Sequence, residues 1–313
     1  LGGWEWEGIF EAFSEFGVLV YSAIAPDVRD WITINEPMVH LVAGYLVGMS
    51  PPGLSDIGAT RAPLVGMLKA HARVYHALHA SAARASKPLR VGLAHHLRVM
   101  DPYRRLNPLD AAAAAVADQV FNWAFPVAVE TGVLEVRIPF GPSFSEFIPT
   151  LAGTQDFIGV NYYSRDLIVF SARGFTRGSF KVKAGAPVSD MNWEIYPRGL
   201  YRVLVELAKR IPGKPVVITE NGLADAADTR RRAFIRDHLF YLGRAMAAGV
   251  NVEGYCHWSL LDNFEWSDGF EPRFGLYEVD YDNGFKRTLR ASGQYYSERV
   301  RASTARARAR AGE

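Results

Sequence analysis

The stretch Trp31-Ile-Thr-Ile-Asn-Glu-Pro37 decides the fold class, because it joins a short apolar β-run to a glutamate and then to a proline. The stretch Val216-Val-Ile-Thr-Glu-Asn-Gly222 repeats that arrangement. Neither run alternates cleanly between polar and apolar residues, which is typical of strands buried on both faces of a parallel sheet. Because Pro37 and Gly222 stop each run just past its glutamate, we expect both carboxylates at the same end of the sheet.

Three more runs of this kind give five predicted strands, which are Trp31–Asn35, Arg90–Ala94, Phe157–Asn161, Val216–Thr219 and Gly254–Trp258. Helical patterns lie before and between them, at Ile9–Ile24, Leu64–Arg84, Leu109–Thr131, Arg198–Arg210 and Thr229–Ala248. Asp228 and Gly249 are the predicted caps of the last helix. Strands that alternate with helices indicate βαβ units and a parallel sheet.

A polar cluster follows every predicted strand. The clusters are Asn35-Glu36, His95-His96, Asn161-Tyr162-Tyr163, Glu220-Asn221 and the segment from Trp258 to Glu265-Trp266. Site residues at the carboxyl end of every strand are typical of a (β/α)8 barrel, whereas a doubly wound sheet gathers them at one switch point. The sequence also has no G-x-G-x-x-G or Walker motif. We therefore predict an α/β fold, a (β/α)8 TIM barrel, of which five strands are visible.

The composition is that of an ordinary globular enzyme, with 313 residues, 49% hydrophobic and 22% charged. The net charge is +2, but five arginines lie in the tail 299–313, so the rest of the chain is mildly acidic. We expect this basic tail to be disordered, and we expect neither a nucleic-acid nor a membrane partner. No apolar run approaches the about 18–20 residues that a membrane span needs. The sequence leaves the oligomeric state open.

The single cysteine, Cys256, excludes an internal disulfide and fits a reducing cytoplasm. It lies in a predicted strand, so we interpret it as a core residue. His71, His76 and His79 share a predicted helix, but the segment offers no carboxylate to complete a zinc site. We predict no metal and no cofactor.

Two glutamates at matching strand ends would supply the pair of carboxyl groups that glycoside hydrolysis uses. In that reaction one carboxyl group donates a proton and the other attacks the sugar. Either glutamate alone could equally form a structural ion pair. The matching positions of Glu36 and Glu220 favour catalysis. Two close carboxylates oppose each other's ionisation, so the one nearer apolar walls should hold the proton.

Several motifs resemble those of glycoside hydrolase family 1. Thr33-Ile-Asn-Glu-Pro37 is similar to the acid/base motif of that family, and Ile218-Thr-Glu-Asn-Gly222 to its nucleophile motif. Trp258-Ser-Leu-Leu-Asp-Asn-Phe-Glu-Trp266, with Arg273-Phe-Gly275, resembles its eighth strand and sugar-binding loop. Asn161-Tyr-Tyr163 and Trp193-Glu-Ile-Tyr-Pro197 fit as well. The similarity runs from Gly2 to about Glu298, which we treat as one domain, 1–298.

The resemblance implies a retaining β-glycosidase for β-linked glucosides, perhaps also galactosides or fucosides, with a small β-glycoside or oligosaccharide as its partner. Glu220 would be the nucleophile and Glu36 the acid/base, so the resemblance implies that Glu36 holds the proton when the reaction starts. The resemblance implies substrate-binding roles for Asn35, Asn161, Tyr163, Trp193, Trp258, Glu265, Trp266 and Phe274. Among these, Asn35 would bind the 2-hydroxyl, Tyr163 would tune Glu220, and Glu265 would accept from the 4- and 6-hydroxyls.

The sequence departs from the family at its start. Family barrels begin with three βα units before the point that matches Gly2, and these units carry further sugar-binding side chains. The chain opens at Leu1 without an initiator Met, so we expect a piece of a longer barrel that lacks about 90 residues or more. Because a five-strand arc leaves two sheet edges open, we expect the piece alone to be poorly soluble and inactive.

Three other functions compete with β-glucoside hydrolysis. A non-catalytic sugar-binding relic is favoured by the missing strands and opposed by the intact glutamates. A thioglucosidase would carry Gln in place of Glu36. A 6-phospho-glycosidase would need a cationic or hydroxyl-rich pocket where Glu265 stands, and an acidic side chain repels phosphate.

Overall fold

A computed structural model describes residues 2–24, 27–172 and 178–311 of the chain. Its strands are β1 Asp30–Asn35, β2 Arg90–His96, β3 Val99–Pro102, β4 Val133–Arg137, β5 Ser143–Phe147, β6 Phe157–Asn161, β7 Arg165–Phe170, β8 Gly178–Lys181, β9 Val216–Glu220, β10 Val252–Tyr255, β11 Tyr277–Asp280 and β12 Lys286–Leu289. Its α-helices are α1 Ile9–Ile24, α2 Pro37–Leu41, α3 Arg61–Ala85, α4 Pro108–Ala117, α5 Ala124–Thr131, α6 Pro197–Arg210, α7 Arg231–Ala247 and α8 Ala291–Ala311. Single π-helical segments follow α2, at Val42–Val47, and α4, at Asp118–Trp123.

The central sheet has five strands in the order β1-β2-β6-β9-β10, and every neighbouring pair is parallel. These are the five predicted strands, so the sequence prediction of a parallel sheet is confirmed. The middle strand β6 is buried at all of its residues, as its apolar sequence without alternation required. The smaller sheets β3-β7-β8, β4-β5 and β11-β12 belong to the connections between the main strands.

The central sheet is curved into an arc. Arg90 at the start of β2 donates to Asp30 of β1 at 2.7 Å and to Glu253 of β10 at 2.5 Å. One guanidinium therefore connects the two outermost strands at their amino ends, which requires a curvature like that of a barrel. Within the described residues, β1 and β10 pair on one side only. The fold is a (β/α)8 barrel that is incomplete here, with five of the eight strands that closure needs.

The helices follow the predicted pattern with small shifts at their ends, and α1 agrees with its prediction at both ends. The predicted helix Leu109–Thr131 is divided by the π-helical turn into α4 and α5. Taken as one segment, Pro108–Thr131 is long and apolar enough by composition to span a membrane, contrary to our expectation of no such run. Most of that segment is buried inside the fold, where Phe125 and Val129 belong to the core against α3 and β4.

The predicted N-cap of α7, Asp228, is wrong. Asp225, not Asp228, accepts hydrogen bonds from the backbone N–H groups of Arg230 and Arg231, at 2.8 and 3.0 Å. The Asp228 carboxylate instead accepts from the backbone of Ser292 at 2.9 Å, which ties the start of α8 to α7. Gly249 has a φ of 94° just beyond α7, in agreement with its predicted capping role.

The prediction for the carboxyl-terminal tail is also wrong. We expected 299–313 to be disordered, but α8 continues through this segment to Ala311, while Gly312 and Glu313 lie outside the described residues. Alanine and arginine are among the strongest helix formers, so an Ala-Arg repeat can extend a helix that has already begun on packed residues.

Cys256 is exposed, not buried in the core as we expected. Its position explains the difference, because it directly follows β10, an outermost strand of the arc. A residue at an open edge lacks the neighbouring strand that would have covered it.

Candidate active site

The register of the sheet brings the predicted polar residues into one layer at the carboxyl end of the strands. His96 on β2 lies opposite Asn161 on β6, and Asn161 lies opposite Glu220 on β9. On the other side of β2, the backbone N–H of Glu36 donates to the carbonyl of Ala94 at 2.8 Å. Glu36 and Glu220 thus follow the first and fourth strands of the arc, as the sequence predicted.

Glu36 occupies a left-handed backbone conformation, with φ 51° and ψ 54°. This conformation is uncommon for a residue with a Cβ atom and is often found at functional sites. Its cause is local: β1 ends at Asn35, and Pro37 begins the short helix α2 directly afterwards, so Glu36 carries the whole change of direction. The turn leaves the carboxylate at the end of the strand instead of on either face of the sheet.

Two side chains hold the same oxygen of Glu36. His96 Nδ1 lies 3.0 Å from Glu36 Oε1, and Asn161 Nδ2 donates to that oxygen at 2.9 Å. The Asn161 amide is itself fixed, because it also donates to Asn35 at 3.0 Å and its oxygen accepts from the Thr219 hydroxyl at 2.6 Å. Asn161 is fully buried and links the strand end that carries Glu36 to the strand that carries Glu220.

Glu220 is held from a different direction. The Tyr163 hydroxyl donates to Glu220 Oε2 at 2.6 Å. The loop behind Glu220 depends on Gly222, where a Cβ atom would lie 1.9 Å from the carbonyl oxygen of Trp258. Any larger residue at that position would push the loop after Glu220 away from the segment that carries Trp258.

The direct hydrogen bonds hold one oxygen of each carboxylate, Oε1 of Glu36 and Oε2 of Glu220. Among the described residues, no hydrogen bond reaches Oε2 of Glu36, while the Asn161 amide also interacts with the Glu220 carboxylate. Chemically, a fixed carboxylate with one free oxygen can transfer a proton or attack a carbon without first breaking its support.

The surroundings of the two glutamates shift their pKa values in opposite directions. Burial alone would raise the pKa of Glu36, but His96 and the bonds from His96 and Asn161, with the nearby charge of Arg98, lower it. Burial and the charge of Glu36 raise the pKa of Glu220 to about 7, against the hydrogen bonds from Tyr163 and Asn161. No cation pairs with Glu220 in the part of the chain that the structure describes. This order is the reverse of our expectation that Glu36 holds the proton, because the cations lie on the Glu36 side alone.

An aromatic wall stands beside Glu220. Tyr163, Trp193 and Phe274 contact one another with ring centroids 5.7 to 6.3 Å apart, and Trp258 packs against the same cluster. Trp258 Nε1 donates to Glu265 at 3.2 Å. Seven of the eight predicted substrate-binding residues are thus joined by contacts around the glutamates. Trp266 is the exception, since it is 84% exposed on a short 3₁₀ turn.

Sequence reasoning missed the contact between His96 and Glu36. The pair His95-His96 indicated that one imidazole faces the barrel mouth, since neighbours on a strand point to opposite faces. The structure assigns that position to His96, while His95 is buried against Phe125, where burial lowers its pKa to about 3.

The three helix histidines bind separate groups: His71 contacts Thr33 and Thr154, His76 contacts Thr150, and His79 contacts Asp156. The described residues, which exclude 25–26 and 173–177, contain no group of three or more His, Cys, Asp or Glu side chains that could hold a metal ion.

Comparisons with known proteins place the chain among glycosidases. The sequence profile of Glycosyl hydrolase family 1 matches residues 1–304. A 1,4-beta-D-glucan glucohydrolase from Thermotoga neapolitana is 31% identical over 96% of this chain and 70% of its own length. The chloroplastic galactolipid galactosyltransferase SFR2 of Arabidopsis thaliana is 31% identical over 96% of this chain and 45% of its own. The structure of a beta-glycosidase from Pyrococcus horikoshii superposes with a TM-score of 0.81 and 34% identity, over 93% of this chain and 65% of that one. The chain therefore spans about half to about 70% of the length of these relatives.

Proposed function

The chain belongs to glycosyl hydrolase family 1, and from that premise we propose that the whole protein hydrolyses β-linked glucosides with retention of the anomeric configuration. Galactosides and fucosides are further candidate substrates. The observation that carries the proposal is the pair of strand-end glutamates, each held through one oxygen, beside an aromatic wall.

In the first step, a carboxylate oxygen of Glu220 attacks the anomeric carbon while the glycosidic C–O bond breaks. Glu36 gives its proton to the departing oxygen, so the aglycone leaves as a neutral alcohol and the sugar remains as an ester of Glu220. Tyr163 donates to the other oxygen of Glu220. That bond keeps the carboxylate oriented for attack, and the hydroxyl can stay bonded to the same oxygen while the negative charge of Glu220 is lost on ester formation.

In the second step, Glu36 takes a proton from water as the water oxygen attacks the anomeric carbon. The ester bond breaks, the sugar leaves with its original configuration, and both glutamates return to their starting states. The charge of Glu36 raises the pKa of Glu220, and the same repulsion acts on Glu36. Esterification removes the charge of Glu220, so Glu36 is then easier to ionise and can act as a base.

The sugar contacts are proposed from positions around this pair. Asn35, which accepts from Asn161, would bind the 2-hydroxyl next to the reacting carbon. Glu265 would accept from the 4- and 6-hydroxyls, and Trp258, which donates to Glu265, would give the sugar a stacking face. Trp193 and Phe274 would extend this wall, and Trp266 would cover the far end of the sugar.

The direct test is hydrolysis of 4-nitrophenyl β-glucoside by the whole protein, followed by proton NMR of the sugar released first. We expect β-glucose before mutarotation. First formation of α-glucose would exclude the retaining mechanism, and the absence of any turnover of gluco-, galacto- and fucosides would exclude the proposed function.

A second candidate is a non-catalytic sugar-binding relic, favoured by the open edges of the arc. Phe16 and Leu19 of α1 are 61% and 68% exposed, and Ile32 of the outermost strand β1 is 39% exposed. We expect residues 1–313 expressed alone to aggregate and to be nearly inactive, because exposed apolar edges recruit other chains. A monomeric, cooperatively melting and active preparation would contradict this expectation. Sugar binding without turnover in the whole protein would favour the relic.

The relative named as a galactolipid galactosyltransferase suggests one variation of the second step. A sugar hydroxyl could attack the ester of Glu220 in place of water, with the same proton transfer to Glu36. Adding an acceptor sugar to the assay would then divert product from free glucose to a new glycoside.

We also propose that the protein works in a reducing compartment such as the cytoplasm, since the chain has a single cysteine.

A further inference from the structure

The His96 imidazole is held rigidly next to the carboxylate assigned as acid/base. Its ring stacks on Tyr163 at 5.7 Å with an interplanar angle of 29° and meets the edge of Phe121 at 5.9 Å. Its side chain is 10% exposed. From this position Nδ1 reaches Glu36 Oε1 at 3.0 Å. The ring therefore contacts the proton-transferring carboxylate and the tyrosine that holds the nucleophile.

The second ring nitrogen decides which protonation state fits. Nε2 of His96 is buried and has no hydrogen-bond partner among the described residues. A doubly protonated ring would bury an N–H group without an acceptor, which is costly. A neutral ring with its proton on Nδ1 satisfies the bond to Glu36 and leaves only a lone pair at Nε2. The surroundings therefore favour the neutral Nδ1–H tautomer.

We propose, resting on the proposed function, that His96 is a positioning residue for Glu36. As a neutral imidazole, its Nδ1–H group occupies Oε1 and confines the transferable proton to Oε2, the oxygen that no described residue binds. Asn161 supports the same arrangement, because its amide also donates to Oε1. His96 itself transfers no proton in either step; it determines which oxygen of Glu36 does so.

The charge state of His96 also acts on Glu36. The ionisable groups in contact with it are Glu36, from the end of β1, and Tyr163, beyond β6, which in turn donates to Glu220. Arg98 lies two residues further along the chain than His96 and is paired with Asp166 at 2.9 Å. A cationic His96 is a main cause of the lowered pKa of Glu36. Loss of that charge leaves burial, which favours the protonated carboxyl group, opposed by neutral hydrogen bonds and by Arg98. Neutral His96 therefore allows Glu36 to start the reaction as an acid.

Two substitutions in the whole protein separate positioning from packing. His96→Asn keeps an N–H donor near Nδ1 but cannot become cationic, whereas His96→Leu keeps the bulk and removes the donor. Hydrolysis is measured with 2,4-dinitrophenyl β-glucoside, whose leaving group needs no proton, and with phenyl β-glucoside, whose leaving group does.

We expect His96→Leu to lower kcat/KM for the phenyl substrate by about tenfold or more, part of the roughly 10²–10⁴-fold that a general acid contributes. The dinitrophenyl substrate should change by less than about threefold, because it bypasses the acid. His96→Asn should restore most of the phenyl activity, because it keeps a donor to Oε1 of Glu36. The matched control is His76→Leu, because His76 is an exposed histidine on α3 that contacts Thr150 and not Glu36. This variant should leave the ratio of kcat/KM for the two substrates unchanged.

Equal losses on both substrates in His96→Leu, without rescue by His96→Asn, would overturn the inference and leave a packing role. If the wild type hydrolyses neither substrate, the proposed function fails, and ¹⁵N spectra of labelled histidine then test the inference separately. A neutral ring protonated at Nδ1 at pH 7 supports it. An imidazolium, or a proton on Nε2, contradicts it.

Discussion

The two catalytic candidates occupy strand ends of opposite character. Glu36 follows an outermost strand, has a left-handed backbone and lies beside His96 and Arg98. Glu220 ends an inner strand, lies beside Tyr163 and the aromatic wall, and has no paired cation in the described part of the chain. Two carboxyl groups with the same sequence context thus have pKa values shifted in opposite directions. Local sequence places a carboxylate at the barrel mouth, while its neighbours on other strands decide what it does there.

The nucleophile assignment gives the largest expected effect. Glu220→Gly in the whole protein should lower turnover of aryl β-glucosides by about 10⁴-fold or more, because no covalent ester can form. Azide should restore activity and give the α-glycosyl azide, since the small anion fills the space left on the face opposite the leaving group. NMR of the product identifies the anomer. Formation of the β-azide alone would show that the two glutamates have exchanged roles, as their pKa order in the arc would suggest.

The acid assignment should produce an effect that depends on the leaving group. Glu36→Ala should lower kcat/KM by about 10²–10⁴-fold for basic phenol leaving groups and much less for acidic ones, since proton donation matters most when the leaving oxygen is basic. The measurement is the slope of log kcat/KM against phenol pKa. A slope equal to that of the wild type would remove Glu36 from the acid role.

The opposite pKa shifts should also appear in stability. The raised pKa of Glu220, about 7 against 4.5, means that the folded protein keeps a proton that the unfolded chain releases, so stability falls as pH rises through this window. Glu220→Gln should therefore gain stability over the wild type from pH 5 to pH 8, by about 1–3 kcal/mol at most.

Glu36 should behave in the opposite way. Because its pKa is lowered in the folded state, its ionised form stabilises the protein above the unfolded pKa, and this contribution is lost as pH falls. Glu36→Gln should thus be less stable than the wild type above the unfolded pKa of Glu36 and approach it in acid. Because a cationic His96 is a main cause of the lowered pKa, the neutral ring inferred above should make this loss of stability small. Urea denaturation at several pH values measures both variants, and shifts of the same sign would contradict the difference between the two sites.

The smallest effect concerns Glu265, which lies on the Glu220 side and helps to raise the pKa of Glu220. Its charge should repel a sugar phosphate, so an aryl β-glucoside 6-phosphate should react at least about tenfold more slowly than the plain glucoside. Glu265→Gln should narrow this difference. Faster cleavage of the phosphorylated substrate by the wild type would show that the site accepts a phosphate after all.

Much of this architecture could be predicted from the sequence because its signals are local. An apolar run without alternation, followed by a polar cluster, identified all five central strands and the end at which the site lies. Motif resemblance supplied Asn161 and Tyr163, which the structure joins to Glu36 and Glu220 by hydrogen bonds. The prediction failed at Asp228, because several residues near the start of a helix compete to cap it. It failed in the tail, because a helix that has already formed can continue through it.

The sequence alone therefore determined the fold class, the family and the two strand-end glutamates, because each depends on residues close together along the chain. The tertiary structure alone decided that His96 and not His95 meets Glu36, that Arg90 connects the outermost strands, and that Glu220 has the higher pKa. These outcomes depend on the register between strands and on the distance between charges far apart in sequence. Coulomb and hydrogen-bond energies depend on distances in space, which no local pattern of residues records.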